Sequence, residues 1–206
     1  MNSKKFLAFA MAAAMTLSMT ACGGSGSGAA SSGTDSTAGT AFKLGGTGPL
    51  TGGASIYGLA AQRGAQIAVD EINAQGGAIQ FDLKYEDDQH DPEKAVNAYN
   101  ALKEWGMQIS LGSVTSQPGI STSALNQEDG IFALTPSASS PDVIAGKDNV
   151  YQMCFSDPNQ GLASAQYIAE QQLGEKIFII WKSDDNYSTG IKDKFVAEAE
   201  KLGLNV

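Results

Sequence analysis

Phe81-Asp82-Leu83-Lys84-Tyr85-Glu86, followed by Asp87-Asp88-Gln89-His90 and then Asp91-Pro92, is the stretch from which the fold is read. Apolar and charged residues alternate through its first six positions, the period of a half-buried strand. Asp91-Pro92 marks a helix start: the aspartate can accept orphan N–H groups, and proline's fixed φ suits the first helical turn. Together they make one βα unit, whose helix is expected to end at Gly106.

The unit repeats on both sides. Upstream, residues 42–46 open a first strand and residues 57–74 a helix, with Ala60, Gly64, Ile67, Ala68 and Ile72 expected on its buried face and Gly76-Gly77 as its stop. Downstream, a third strand at 109–112 leads through Ser113 to Pro118 into a helix ending near Gly130, and residues 131–134 form a fourth strand. Such alternation predicts an α/β fold, a parallel sheet with helices on both faces. The pattern loosens after Pro136. From Asn159 it resumes with a helix over 161–173, an apolar strand over 177–181, the run Asp184-Asp185-Asn186-Tyr187 and a helix over 189–202. Gly203 caps that helix, and Asn205-Val206 opens a further strand. The expected division is a first lobe over 41–156 and the beginning of a second, incomplete lobe over 157–206.

Ahead of the sheet, Lys4 and Lys5 precede an apolar run that ends in Met19-Thr20-Ala21-Cys22. The run is too short to span a bilayer comfortably, and small residues sit where a peptidase must fit, so residues 1–22 read as a secretory signal. Met-Thr-Ala-Cys resembles a bacterial lipobox, with Met19 in place of the usual leucine, which implies lipidation of Cys22 and a membrane anchor. Without the lipid the product would be secreted or periplasmic. Residues 23–40 are almost wholly Gly, Ser, Ala and Thr, the composition of a flexible tether.

The formal net charge is −9, and loss of Lys4 and Lys5 with the signal makes it −11. An acidic protein repels nucleic acid and anionic headgroups, so neither is an expected partner through bulk charge. With Cys22 assigned to the anchor, Cys154 stands alone and no internal disulfide is available. A single His and no clustered Cys exclude a structural zinc site, and no cofactor is implied.

In open parallel sheets ligands bind beyond the carboxyl ends of the strands. The loops there, 48–57, 87–91, 113–118, 135–141 and 183–189, are rich in hydroxyls and carry Tyr57 and Tyr187, which suits a zwitterionic solute. Gly45-Gly46-Thr47-Gly48 fails as a dinucleotide fingerprint, because Thr51 stands where the third glycine belongs. His90 has no G-x-S-x-G elbow beside it and reads as an exposed loop histidine, its neighbouring carboxylates as a solvated loop; no enzyme is expected.

These loops in order, Gly48-Pro49-Leu50-Thr51-Gly52, Tyr57-Gly58, Asp70-Glu71-Ile72-Asn73-Ala74, Asp91-Pro92, Gly130-Ile131, Thr135-Pro136 and Tyr187 with Gly190, resemble the leucine/isoleucine/valine-binding family of type I periplasmic binding proteins. The resemblance implies a type I periplasmic-binding-protein fold in which two Rossmann-like lobes close on a solute. It implies Tyr57 against the ligand and Ser116 and Ser139 donating hydroxyl or amide bonds to its carboxylate. Ser137, beside Ala138, lies where a main-chain carbonyl receives the ammonium, and Tyr187 is the second lobe's contact. The family's acidic partner for the ammonium falls beyond Val206, and a disulfide found in some relatives falls at about His90 and Thr115. By that resemblance the function is capture of a branched-chain or related amino-acid-like solute, as a monomer, for the permease subunits of an ABC importer. A ligand-sensing receptor module of the same fold is the alternative.

Overall fold

A computed structural model describes residues 41–174 and 176–206. Five parallel strands form one sheet in the order β2-β1-β3-β4-β5: β1 Ala41–Gly48, β2 Gln80–Asp87, β3 Ile109–Ser113, β4 Phe132–Thr135 and β5 Val150–Gln152. The helices are α1 Ser55–Ala74, α2 Pro92–Trp105, α3 Ser116–Asp129, α4 Asp157–Gln171 and α5 Asn186–Lys201.

The opening stretch folds as its residues dictate. β2 ends at Asp87, and Asp91 caps α2 by accepting the Glu93 and Lys94 N–H groups, each at 2.9 Å. Gly106 stops α2 at φ 92°, a left-handed conformation that costs glycine little. On one face of the sheet Tyr99, Leu102 and Met107 form a core with Trp105, Leu125 and Ile131. Ala133 and Val150 join Ala138, Val143 and Ile120 in a second core under α3.

α1 packs on β1 and β2. Its Asn73 side chain donates to the Phe81 carbonyl at 2.8 Å and accepts the Phe81 N–H at 2.9 Å, tying the helix to the start of β2. The buried face is not the expected one. Gly58 and Val69 are buried, whereas Ala60, Gly64, Ile67, Ala68 and Ile72 are exposed. The helix carries apolar residues nearly all round, so periodicity alone could not choose between its faces.

Side chains alternate across a strand, so Phe132 and Tyr151 project away from the Ala133–Val150 core. They stack with ring centres 5.6 Å apart and, with Met153 beyond them, stay largely exposed among the described residues, where α1 packs on β1 and β2.

Two further departures fall after Pro136. β5 and a 3-10 turn at Pro141–Val143 lie in the stretch that showed no pattern; three-residue elements are too short for periodicity to register. Residues 177–181 do not form the expected strand: one parallel bridge joins Lys176 to Asn205, and the Ile177 N–H donates to the Asn205 carbonyl at 2.8 Å. Ile177 and Ile179 pack on Ala165, Phe195 and Ala199 between α4 and α5, while Phe178 and Ile180 are almost fully exposed. Gly161 lets those two helices meet, since a Cβ there would lie 2.3 Å from the Ile191 carbonyl oxygen.

Candidate functional site

The carboxyl ends of β1, β3 and β4 carry a ladder of buried hydroxyls. Thr135 Oγ1 donates to the Ser113 carbonyl at 2.7 Å and accepts the Ala138 N–H at 3.0 Å, which fixes the turn holding Ser137, Ala138 and Ser139. Ser137 Oγ donates to the Val114 carbonyl at 2.6 Å, and Ser116 Oγ accepts the Ser140 N–H at 3.2 Å. These bonds bring Ser116, Ser137, Ala138 and Ser139 into one place.

Each serine hydroxyl therefore has a structural partner or neighbour. The Ser137 proton is committed to Val114. Ser116, the first residue of α3, accepts one bond and keeps its proton to give, next to the unpaired N–H groups of a helix start. Ser139 is buried, its carbonyl accepts the Asp157 N–H at 3.2 Å, and its hydroxyl lies beside the Asp157 carboxyl.

The helix that the sequence pattern places over 161–173 begins at Asp157. Asp157 is fully buried, and neither carboxylate oxygen has a partner in bonding geometry among the described residues. Burial pushes its pKa above the ordinary carboxylate range, the Ser139 hydroxyl pulls it back, and Asp185 adds to the rise. Asp185 caps α5 through the Ser188 N–H at 2.9 Å and leaves its own Oδ1 unpaired. The sequence signal is Ser156-Asp157-Pro158, in which proline again sits in the first helical turn, although here Ser156 takes the cap position and Asp157 is the first helical residue.

Neither tyrosine makes a side-chain hydrogen bond to the serines among the described residues. Tyr57 is 65% exposed in the first turn of α1. Tyr187 lines an apolar cavity of about 300 Å³ with Ile179, Trp181, Ile191 and Phe195, where Lys192 Nζ lies 4.9 Å from the Trp181 ring centre. That cavity does not include the serine cluster. Gln117 bridges the two regions, donating from Nε2 to the Asp184 carbonyl at 2.7 Å.

The loop after β2 also departs from expectation. Asp88 is fully buried rather than solvated, and His90 is half-buried with Nδ1 2.9 Å from Thr115 Oγ1. This hydrogen bond lies at about the place where the family resemblance puts a disulfide of some relatives. Asp87 holds the loop before α1, accepting from Leu50 N–H at 2.8 Å and Thr51 Oγ1 at 2.5 Å. Partial burial raises its pKa, but the Thr51 hydroxyl and the Leu50, Gln89 and Thr51 N–H groups outweigh this and hold it below the ordinary range. Among the described residues no group of three or more His, Cys, Asp or Glu is placed to hold a metal ion.

Hydroxyls and helix-start amides thus stand beside a buried carboxylate at the carboxyl ends of the strands. The chain belongs to the periplasmic binding protein family, whose model matches residues 41–206. It is 32% identical over 159 residues to a Leu/Ile/Val-binding protein homolog 3 from Brucella melitensis, covering 76% of this chain and 43% of that protein. It is 33% identical over 159 residues to the Leu/Ile/Val-binding protein BraC3 of Rhizobium johnstonii, with the same coverage. Among solved structures, the leucine binding protein LivK of Thermotoga maritima superposes with a TM-score of 0.75 at 26% identity, over 80% of this chain and 47% of that one. LivJ of Streptococcus pneumoniae, solved with isoleucine, gives 0.73 at 27%, over 77% and 47%. The leucine/isoleucine/valine-binding resemblance and the type I fold are borne out, and the chain spans less than half the length of these relatives.

Proposed function

We propose that residues 41–156 are the first lobe, and residues 157–206 the opening part of the second, of an extracytoplasmic solute-binding lipoprotein. It takes a branched-chain or related amino-acid-like solute and delivers it, as a monomer, to the permease subunits of an ABC importer. The observation that carries this reading is the polarity of the site. Ser116 and the start of α3 offer donors for a carboxylate, joined by the Ser139 amide that the family resemblance implies, and the Asp157 carboxyl, without a partner among the described residues and next to Ser139, offers acceptors for an ammonium. A zwitterion needs both within the length of an amino acid's backbone. Tyr57 and Tyr187 then act from the two rims as the lobes close.

Isoleucine calorimetry on the chain extended by the rest of its second lobe tests the carboxylate half. Ser116→Ala removes a hydrogen bond to a charged group, worth about 1.5–3 kcal/mol, or roughly ten- to a hundred-fold in affinity. Ser139→Ala should cost less, since its amide remains and its hydroxyl proton has Asp157 as a competing acceptor. Unaltered affinity in both variants removes the assignment.

Cys22 lies outside the described residues, as do the signal and the tether. In the proposed lipoprotein Cys22→Ala releases the protein from the membrane fraction or stops its processing. Retention of a normally processed Cys22→Ala protein in that fraction counts against the anchor.

A further inference from the structure

A row of buried hydroxyls runs from β1 through β3 to α3, with a buried carboxyl beside its β1 end. At the end of β2, Asp88 Oδ1 accepts the His90 N–H at 2.9 Å, while Oδ2 is buried without a partner. The Thr47 hydroxyl, on neighbouring β1, stands beside this carboxyl. Thr47 Oγ1 is 2.5 Å from Ser113 Oγ on β3, and Ser113 Oγ is 2.9 Å from Thr122 Oγ1 on α3. Thr122 Oγ1 in turn donates to the Pro118 carbonyl at 3.1 Å. Thr47, Ser113 and Thr122 are all buried.

Each hydroxyl has one proton to give, and this fixes a direction. A carbonyl only accepts, so the Thr122 proton goes to Pro118. Ser113 then donates to Thr122, and Thr47 to Ser113. Thr47 is left presenting an acceptor to Asp88, so an ionised Asp88 has an unpaired oxygen, whereas a protonated Asp88 donates to Thr47 and completes the row. If Asp88 is to be ionised and paired, all three hydroxyls must rotate: Thr47 donates to Asp88, Ser113 to Thr47 and Thr122 to Ser113. The Asp88 proton leaves to water, and the Pro118 carbonyl gives up its side-chain donor.

We propose that Asp88 is a positioning residue for the candidate ligand site, because it sets the direction of the Thr47–Ser113–Thr122 row that ends on the first turn of α3, two residues from Ser116. This rests on the reading of Ser116 as a carboxylate donor. Burial is the largest influence on Asp88 and, with Asp87 and Asp91, raises its pKa to about 6 against the bond from the His90 N–H and the pull of the neighbouring Thr47 hydroxyl. The other titratable group facing it is the Tyr85 phenol, pushed up to about 12 by burial first and then by Asp88. The His90 ring is turned to Thr115.

Hydrogen exchange of the α3 amides from Gly119 to Thr122, corrected for intrinsic rates, tests the row without any ligand. Protection should be severalfold greater at pH 5 than at pH 7.5 in the wild type. Asp88→Asn, whose amide donates to Thr47 at every pH, should remove this dependence and keep the higher protection. Thr47→Val cuts the row while leaving Asp88 in place, and should also remove it. Isoleucine affinity, measured by calorimetry over the same range, should follow the exchange profile. A pH-independent wild-type profile, or one that Asp88→Asn shares, overturns the row. An exchange profile that shifts while isoleucine affinity stays flat overturns the positioning role. Absence of isoleucine binding at any pH sinks the ligand reading and the positioning role with it, while the exchange result still decides the row.

Discussion

Gly58→Ala is expected to cost about 3 kcal/mol or more of stability, the upper end of overpacking penalties. A Cβ at this position would lie 2.1 Å from the Pro49 carbonyl oxygen, 2.6 Å from its carbon and 2.9 Å from its nitrogen. All three are backbone atoms, so no side chain can swing aside. Nor is the segment free to retreat: on one side of Pro49 the Gly48 carbonyl accepts the Asp88 N–H at 3.0 Å, and on the other the Leu50 N–H is held by Asp87 at 2.8 Å. The helix must therefore move off the end of β1 and carry Tyr57 with it. Gly64→Ala on the same helix is the control, since a Cβ there meets nothing within 4 Å. In the helix interior it should gain up to about 1 kcal/mol from propensity. Urea denaturation of both variants decides the matter, and equal midpoints would contradict the close approach of α1 to Pro49.

Asp157→Asn should move stability and affinity in opposite directions. The neutral carboxyl is the form that burial favours, so its contribution to stability is fully present below the ordinary carboxylate range near 3.8 and is lost as pH rises through the raised folded value. The asparagine variant should therefore melt higher than the wild type at pH 7.5 and close to it at pH 3.5. For isoleucine binding the sign reverses: loss of the charge that faces the ammonium should cost about 3 kcal/mol, roughly a hundred-fold in affinity. A residue with a purely structural role would not give that pair of results. Unchanged affinity with raised stability would make Asp157 a buried defect of the α4–α5 junction and remove it from the site.

Much of the sheet was legible because its signals are local. Asp91-Pro92, Gly106 and Gly130 mark helix ends through backbone chemistry that acts within a few residues, and all three hold. The serines were legible as a set because parallel strands bring their carboxyl ends to one edge of the sheet. What stayed hidden depends on partners distant in sequence. The burial of Asp88 follows from its place between Thr47, 41 positions upstream, and its own loop. The choice of α1 face depends on Phe81 and Pro49 receiving Asn73 and Gly58. Residues 177–181 carry a strand's composition, but a strand needs neighbours along its length, and among the described residues Asn205 provides only one point of pairing.

The row of Phe132, Tyr151 and Met153, on a side of the sheet left open among the described residues, bears on how unfolding of this chain would be followed. Fluorescent dyes that seek apolar surface are used as markers of a loosened core. Here the stacked rings of Phe132 and Tyr151 offer such a surface while every strand is still paired. Dye fluorescence would start from a high baseline, and a small further rise on heating would understate how much structure had been lost. Near-ultraviolet circular dichroism, which follows the fixed environment of tyrosines such as the buried Tyr99, is free of that background.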